Sequence, residues 1–248
     1  MTVRIVIPAR MASSRLPGKV MAMLGDRPVV GHAVNAAQRS GLGDVWVATD
    51  APEVAAWAQS HRVAVGMTRS DHPSGSDRIH ELAVAQGWPD EDIVVNLQGD
   101  EPYMPVELLR AVARALEQSP ADWATVAVPI ADPAEFANPA CVKVVCSTAG
   151  DALYFSRAPI PHPRDGDERA CRPLRHVGLY AYRVGALARY CQIAPTPLEQ
   201  TEKLEQLRAL ESGMRIRVHV ASVAPPAGID TPADLERARQ QLATTGIR

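Results

Sequence analysis

Hydrophobic residues in the first half of the chain come in short β-branched runs that alternate with segments of helical period. Runs at 3–7, 45–48, 63–67, 93–97 and 125–129 predict strands, since short apolar stretches of this kind suit strands buried on both faces. Helices are predicted between them, over 29–40 behind Pro28, then 53–60, 77–86 and 105–118. In the first of these helices Val29, Val30, Ala33, Val34 and Ala37 recur at helical spacing and make one apolar stripe. Strand and crossover helix in regular succession build a mostly parallel sheet, so the expected class is α/β with a Rossmann-like sheet.

The second half reads differently. Strands are predicted at 142–146, 153–155, 177–181 and 216–223. The stretch 157–175 is rich in Pro, Arg and Asp; it cannot be a long helix and reads as a mobile loop or an excursion at a site or interface. A closing helix is announced by Thr231-Pro232-Ala233-Asp234, which supplies an N-cap, a first-turn proline and an acid at the third helical position. No repeat, low-complexity tract or linker interrupts the chain. The expectation is one domain over 1–248, with a substrate-side insertion at about 130–225.

Composition narrows the function classes. The chain has 248 residues, 46% hydrophobic and 22% charged, ordinary for a globular enzyme with a full core. Its 26 basic and 28 acidic side chains leave a formal charge of -2, so no global basic field exists for nucleic acid, and a polyanion site has to be a local cluster. Cys141, Cys146, Cys171 and Cys191 show neither C-x-x-C pairing nor zinc-site spacing. With a strand directly at the N-terminus and no apolar run near the roughly 18 residues of a membrane helix, a cytoplasmic protein without membrane contact is expected.

One local cluster stands out, on the loop after the first strand. It carries Arg10, Arg15 and Lys19 and no acid before Asp26. Ala9, Ala12, Ser13, Ser14 and Gly18 are small enough for backbone N–H groups to approach an anion closely. In a parallel sheet ligands bind at the carboxyl ends of the strands, and three cations there suit a nucleoside triphosphate. The alternative is a solvated basic loop. A Walker A pattern is excluded, because Ser13 stands where its first glycine would be and Val20 where Ser or Thr would be; G-x-G-x-x-G is also absent. Neither a G-x-S-x-G elbow, nor H-E-x-x-H, nor a cysteine-nucleophile signature occurs.

The segment Pro8-Ala9-Arg10 with Ser13 and Arg15-Leu16-Pro17-Gly18-Lys19 resembles the signature loop of cytidylyltransferases for acid sugars. Further segments agree in order: Ala48-Thr49-Asp50, His72-Pro73-Ser74-Gly75-Ser76-Asp77-Arg78, Asn96-Leu97-Gln98-Gly99-Asp100-Glu101-Pro102, Val142-Lys143-Val144-Val145, Ser156-Arg157-Ala158-Pro159-Ile160-Pro161, Arg175-His176-Val177-Gly178-Leu179-Tyr180 and Gly228-Ile229-Asp230-Thr231-Pro232. Over essentially the whole chain the sequence is similar to the CMP-Kdo synthetases, which activate the acid sugar Kdo with CTP. The later motifs separate this branch from the sialic acid synthetases. One departure is His162, where the common pattern has Trp.

The resemblance implies a nucleotide-diphospho-sugar transferase-like fold, a homodimer, and CMP transfer from CTP to the anomeric hydroxyl of Kdo for lipopolysaccharide biosynthesis. It implies nucleotide binding by Pro8, Ala9, Arg10, Ser13, Lys19, Ser74, Gly75, Arg78 and Gln98, and catalysis by Arg10, Arg15, Lys19, Asp100 and Asp230. Mg²⁺ is expected on Asp100 and Asp230, two carboxylates at polar turns after apolar strands, which suits a hard cation. Sugar binding is expected of Arg157, His176, Tyr180, Glu205 and Gln206. Simpler readings exist: Asp100 as a turn residue or helix cap, Asp230 serving the closing helix, Ser74 as a cap, His176 as a strand-edge residue, and Glu205 paired with Arg208 one turn on. Rival functions are a cytidylyltransferase for a modified acid sugar, such as 8-amino-Kdo, and a non-catalytic CTP or CMP-sugar sensor.

Overall fold

The computed structural model describes residues 1–13, 15–164 and 172–245; Ser14 of the basic loop, and 165–171 with Cys171, lie outside the described residues. The chain divides into two compact units, Met1–Arg110 with Pro225–Arg248, and Ala111–Ala224.

The first unit follows the predicted alternation: β1 (Val3–Ala9), β2 (Met23–Leu24), β3 (Arg27–Pro28), α1 (Val29–Ser40), β4 (Asp44–Thr49), α2 (Pro52–Ser60), β5 (Ala64–Met67), α3 (Gly75–Ala85), β6 (Ile93–Asn96) and the start of α4 (Val106–Glu117). β1 runs parallel to β6 on one side and to β4 on the other, with β5 parallel beyond β4. Register pairs Ile5 with both Val95 and Val45, so the apolar runs stack across the sheet. Ile5, Val6, Ile7, Val94 and Val95 are fully buried, as a doubly covered parallel sheet requires. Because the strands are parallel, the loops after β1, β4 and β6 leave from one edge. α1 ends at Gly41, whose φ of 64° is the left-handed cap that glycine adopts without a Cβ clash. The β2–β3 ribbon was not foreseen, since two residues per strand leave no period to read.

The second unit contains β7 (Trp123–Pro129), α5 (Pro133–Ala137), β8 (Lys143–Cys146), β9 (Ala152–Ser156), β10 (Leu174–Arg183), α6 (Val184–Cys191), α7 (Pro197–Glu202), α8 (Glu205–Glu211) and β11 (Ile216–Val220). β7 pairs parallel with β11 and antiparallel with β10, while β8 joins β10 to β9, again antiparallel. Trp123 anchors its core, with the rings of Tyr182 and Tyr190 edge-on at 4.8 and 4.7 Å. The chain then re-enters the first unit with α9 (Pro232–Thr245). There Ile229, Leu235 and Ala238 pack against Leu24 and Val29, with Leu16 and Tyr103 alongside.

Several boundaries differ from expectation. β10 already begins at Leu174, so the end of the expected loop is strand, with Arg175 paired to Val128 and Lys143. β11 stops at Val220, because beyond Ala221 the chain turns to solvent (Val223 is 70% exposed) towards two prolines. α3 starts at Gly75 rather than at 77, because Ser74 caps it. Among the described residues no helix is long and apolar enough to cross a membrane.

Candidate active site

The site assembles at the carboxyl edge of the first unit's sheet. β1 ends at Ala9, and the basic loop folds back on itself through Gly18 N–H to the Met11 carbonyl at 3.0 Å, with Gly18 at φ 70°. A one-turn 3₁₀ helix, Lys19–Met21, follows, and buried Val20 pins its start. Next to it lies the loop after β6: Leu97 N–H donates to the Val6 carbonyl at 3.1 Å and Gly99 N–H to the Pro8 carbonyl at 3.3 Å. A Cβ on Gly99 would stand 3.0 Å from that carbonyl oxygen, so the close approach of the two loops favours glycine there.

Asp100 follows directly, and its carbonyl accepts from Ile229 N–H at 2.9 Å. Ile229 is buried in the core with Leu24 and Val29, so one apolar anchor and one backbone bond bring Asp230 beside Asp100. Asp234 leaves Asp230 free of capping duty: the Asp234 carboxylate accepts from the backbone N–H of Thr231 at 2.9 Å, and Thr231 Oγ1 accepts from Asp234 N–H at 3.2 Å. The simpler reading of Asp230 as a helix cap therefore does not hold.

Pro8, Arg10, Ser13, Arg15, Lys19, Gln98, Asp100 and Asp230 line one open cavity of about 730 Å³, together with Met11, Ala12, Pro17, Val20 and Gly99. Lys19 is its electrostatic hub. Its Nζ donates to Asp100 Oδ2 at 2.5 Å and Asp230 Oδ1 at 2.8 Å, and Arg15 reaches the same Asp230 oxygen at 3.1 Å. Burial alone would pull the Lys19 ammonium down; the hydrogen bonds and charges of the two carboxylates outweigh it and raise its pKa above the ordinary lysine value.

The carboxylate pair suits a divalent ion. Two hard oxygens converge on a single cationic point, and no cluster of three or more His, Cys, Asp or Glu occurs among the described residues. Two carboxylates are enough for a hard divalent cation when substrate phosphates and water complete its shell.

Other predicted nucleotide residues stand beside the cavity rather than in its wall. Ala9 is buried under it. Ser74 caps α3, accepting from Asp77 N–H at 3.2 Å, and Gly75 packs against Pro8 and the Gln98 amide. Arg78 is only 3% exposed, its guanidinium hydrogen-bonded to Thr68 Oγ1 and 3.3 Å from Asp50. Burial lowers its pKa although Asp50 works against that. Arg78 thus braces the turn from behind. Thr68 and Asp50, not among the predicted site residues, are its partners. His72 likewise grips Glu81, which also accepts from Arg69 N–H at 3.0 Å.

The predicted sugar residues all fall in the second unit. His176 shares Thr125 Oγ1 at 3.0 Å and meets the rings of Phe155 and Tyr180 at 5.0 and 5.3 Å; burial pushes its pKa down to about 3. Tyr180 stacks with Tyr182, and its hydroxyl is pushed well above the usual range, by burial first. Gln206 is buried at the start of α8, while neighbouring Glu205 is exposed. Arg208 forks onto Glu199: its Nε donates to one carboxylate oxygen at 2.7 Å and its Nη2 to the other at 2.5 Å, and the Glu205 charge also acts on it. Arg157 is committed to structure: Nε donates to the Glu202 carbonyl at 2.7 Å and Nη1 to the Pro139 carbonyl at 3.1 Å, while Glu202 Oε2 takes its backbone N–H. Nothing local in the sequence marks Glu202 for that task.

Comparison with known proteins agrees with this geometry. A family model described as cytidylyltransferase matches residues 4–216. The 3-deoxy-manno-octulosonate cytidylyltransferase of Polynucleobacter necessarius subsp. necessarius (strain STIR1) is 51% identical over 241 residues, covering 96% of this chain and 95% of the relative. That of Xanthomonas campestris pv. campestris (strain 8004) is 48% identical over 248 residues, covering 97% and 99%. Among solved structures, a CMP:2-keto-3-deoxy-manno-octonic acid synthetase complexed with CTP superposes with a TM-score of 0.90 at 42% identity, over 98% of this chain and 99% of that one. A putative glucose-1-phosphate thymidylyltransferase from Bacillus anthracis, at 14% identity and a TM-score of 0.67 over 98% and 96%, shares the fold alone. With the family model spanning most of its length and relatives near half identity end to end, the chain belongs to the 3-deoxy-manno-octulosonate cytidylyltransferase family.

Proposed function

We propose that this protein transfers CMP from CTP to the anomeric hydroxyl of Kdo, releasing pyrophosphate and supplying CMP-Kdo for lipopolysaccharide assembly. The observation that carries the reading is the cavity at the sheet edge, where Arg10, Arg15 and Lys19 face Asp100 and Asp230. A cationic loop opposite a carboxylate pair fits transfer of a nucleotidyl group, in which positioning and charge neutralisation do most of the work. Arg10, Arg15 and Lys19 bind the triphosphate and stabilise the departing pyrophosphate. Asp100 and Asp230 hold Mg²⁺, which when bound neutralises phosphate charge and lowers the pKa of the attacking hydroxyl. Gln98 with the Ser74–Gly75 turn, braced by Arg78, orients the nucleoside.

On the sugar side, His176 and Tyr180 offer neutral hydrogen-bonding groups, with Glu205 and Gln206 on α8. Arg157 acts there through the backbone it ties down. We further propose a cytoplasmic homodimer. The free thiol of Cys141 suits a reducing compartment. Among the described residues β9 pairs as a strand with β8, and it exposes Leu153 at 61%, which offers an edge for a second copy.

The test is pyrophosphate release by the purified chain with CTP and Mg²⁺, comparing Kdo, 8-amino-Kdo, sialic acid and no sugar. Release with Kdo and at most slow release with the others is expected. Turnover of sialic acid without Kdo would overturn the assignment; tight CTP binding without release on any sugar would favour the sensor.

A further inference from the structure

Lys19 sits on the two carboxylate oxygens that a divalent ion would use. Its Nζ lies 2.5 Å from Asp100 Oδ2 and 2.8 Å from Asp230 Oδ1. The Lys19 side chain is only 13% exposed, whereas those of Asp100 and Asp230 are 28% and 49% exposed, so the ammonium is tucked between carboxylates that remain open to the cavity. Arg15 adds a second cation on Asp230 from a position 63% exposed. An ammonium and a divalent ion held by the same two carboxylates would repel strongly in a partly dry site, so Lys19 in this place disfavours a metal there.

We propose that Lys19 is the resting counter-ion of the Asp100–Asp230 pair. Lys19 would leave the pair only for the phosphates of an arriving triphosphate, and only then would Asp100 and Asp230 be open to a metal, so metal and nucleotide would enter together. This rests on the reading of Asp100 and Asp230 as the metal-holding pair. The exchange is chemically balanced. Phosphate oxygens offer Lys19 charge-assisted acceptors in place of the carboxylates, and its flexible four-carbon stem can turn towards them. The carboxylates then pass to the metal, whose charge the phosphates also offset. Arg15 on Asp230 changes partner in the same way. One lysine therefore does two jobs: it neutralises the carboxylates at rest and the leaving group during transfer. The empty-handed protein is thereby kept from collecting divalent ions.

The test is Mn²⁺ titration of the nucleotide-free full chain, following the electron paramagnetic resonance signal of the free ion. Lys19→Met should bind Mn²⁺ about tenfold more tightly than the parent or better, and Arg15→Met less than about threefold more tightly, since Arg15 touches one carboxylate from solvent. Lys19→Gln should match Lys19→Met, which guards against an accident of one side chain. No gain in either Lys19 variant overturns the proposal, and so does an equal gain from Arg15→Met, which would be a general charge effect. Adding Asp100→Asn to Lys19→Met separates the two levels. Loss of the gain supports both readings, whereas a gain that survives places the metal elsewhere and overturns the carboxylate-pair reading itself.

Discussion

The nucleotide cavity and the aromatic region around His176 handle polar groups in opposite ways. In the first, charges meet other charges: Lys19 and Arg15 on Asp230, Lys19 on Asp100, all on side chains that line an open cavity. In the second, polar groups are withdrawn and fastened to the fold. His176 is held on Thr125, Arg208 forks onto Glu199, and the fully buried Lys143 ammonium donates to the carbonyls of Asn138, Cys141 and Arg157 at 2.9, 2.6 and 2.6 Å. Charges satisfied by exchangeable partners are suited to chemistry on a charged ligand. Charges satisfied by backbone give shape, and lose stability when cut.

If that contrast is real, the largest effect on activity and the largest on stability should come from different units. Asp100→Asn should lower turnover by about a thousandfold or more, since one of the two carboxylates proposed to hold the metal is lost, yet leave the melting temperature within a few degrees and CTP binding without metal largely intact. Steady-state pyrophosphate release, calorimetry and CTP titration read the three quantities. Normal turnover would remove the metal role; a collapse in stability would erase the contrast. Lys143→Met should do the reverse, costing about 3 kcal/mol in denaturant unfolding because three carbonyls, that of Cys141 buried and those of Asn138 and Arg157 partly so, lose their donor. A loss below about 1 kcal/mol would mean that water replaces the ammonium, and that this region is less dry than its packing indicates.

The same contrast governs how much could be read from the sequence. Arg10, Gln98 and Asp100 were legible because each follows a well-marked strand within a few residues, Arg15 and Lys19 because they share the loop after β1 with no acid among them, and parallel strands put those loops on one edge. Asp230 was visible only as a carboxylate at a turn. What brings it to Lys19, 211 residues away, is the Ile229 anchor and its bond to the Asp100 carbonyl, neither of which leaves a local pattern. Arg157 had the right chemistry, but its donors are spent on Glu202 and Pro139, a choice made by tertiary folding. α5, α6 and α7 have five, eight and six residues, too few for helical periodicity to emerge. α7 still carried a signal that could have been used, the Thr196–Glu199 capping box behind Pro197.

The smallest expected effect sharpens the contrast where it is most easily mistaken for catalysis. His176 looks like an acid–base residue, yet burial holds its pKa near 3, so at neutral pH it is an uncharged hydrogen-bonding group. The unfolded chain takes up a proton at this position below about 6.5, whereas the folded one resists until about 3. More protons are bound in the unfolded state across that window, so His176 contributes stability at neutral pH that is lost as pH falls through it. His176→Gln keeps a polar group beside Thr125 and cannot titrate. Its unfolding free energy should be close to the parent's at pH 7.5, and should fall less steeply between pH 6 and pH 4.5. Parallel curves would show that His176 titrates alike in the folded and unfolded chain, and would make it a candidate proton carrier. Curves that separate as pH falls, the variant above the parent, with the pH profile of turnover unshifted, would leave it as a neutral hydrogen-bonding group.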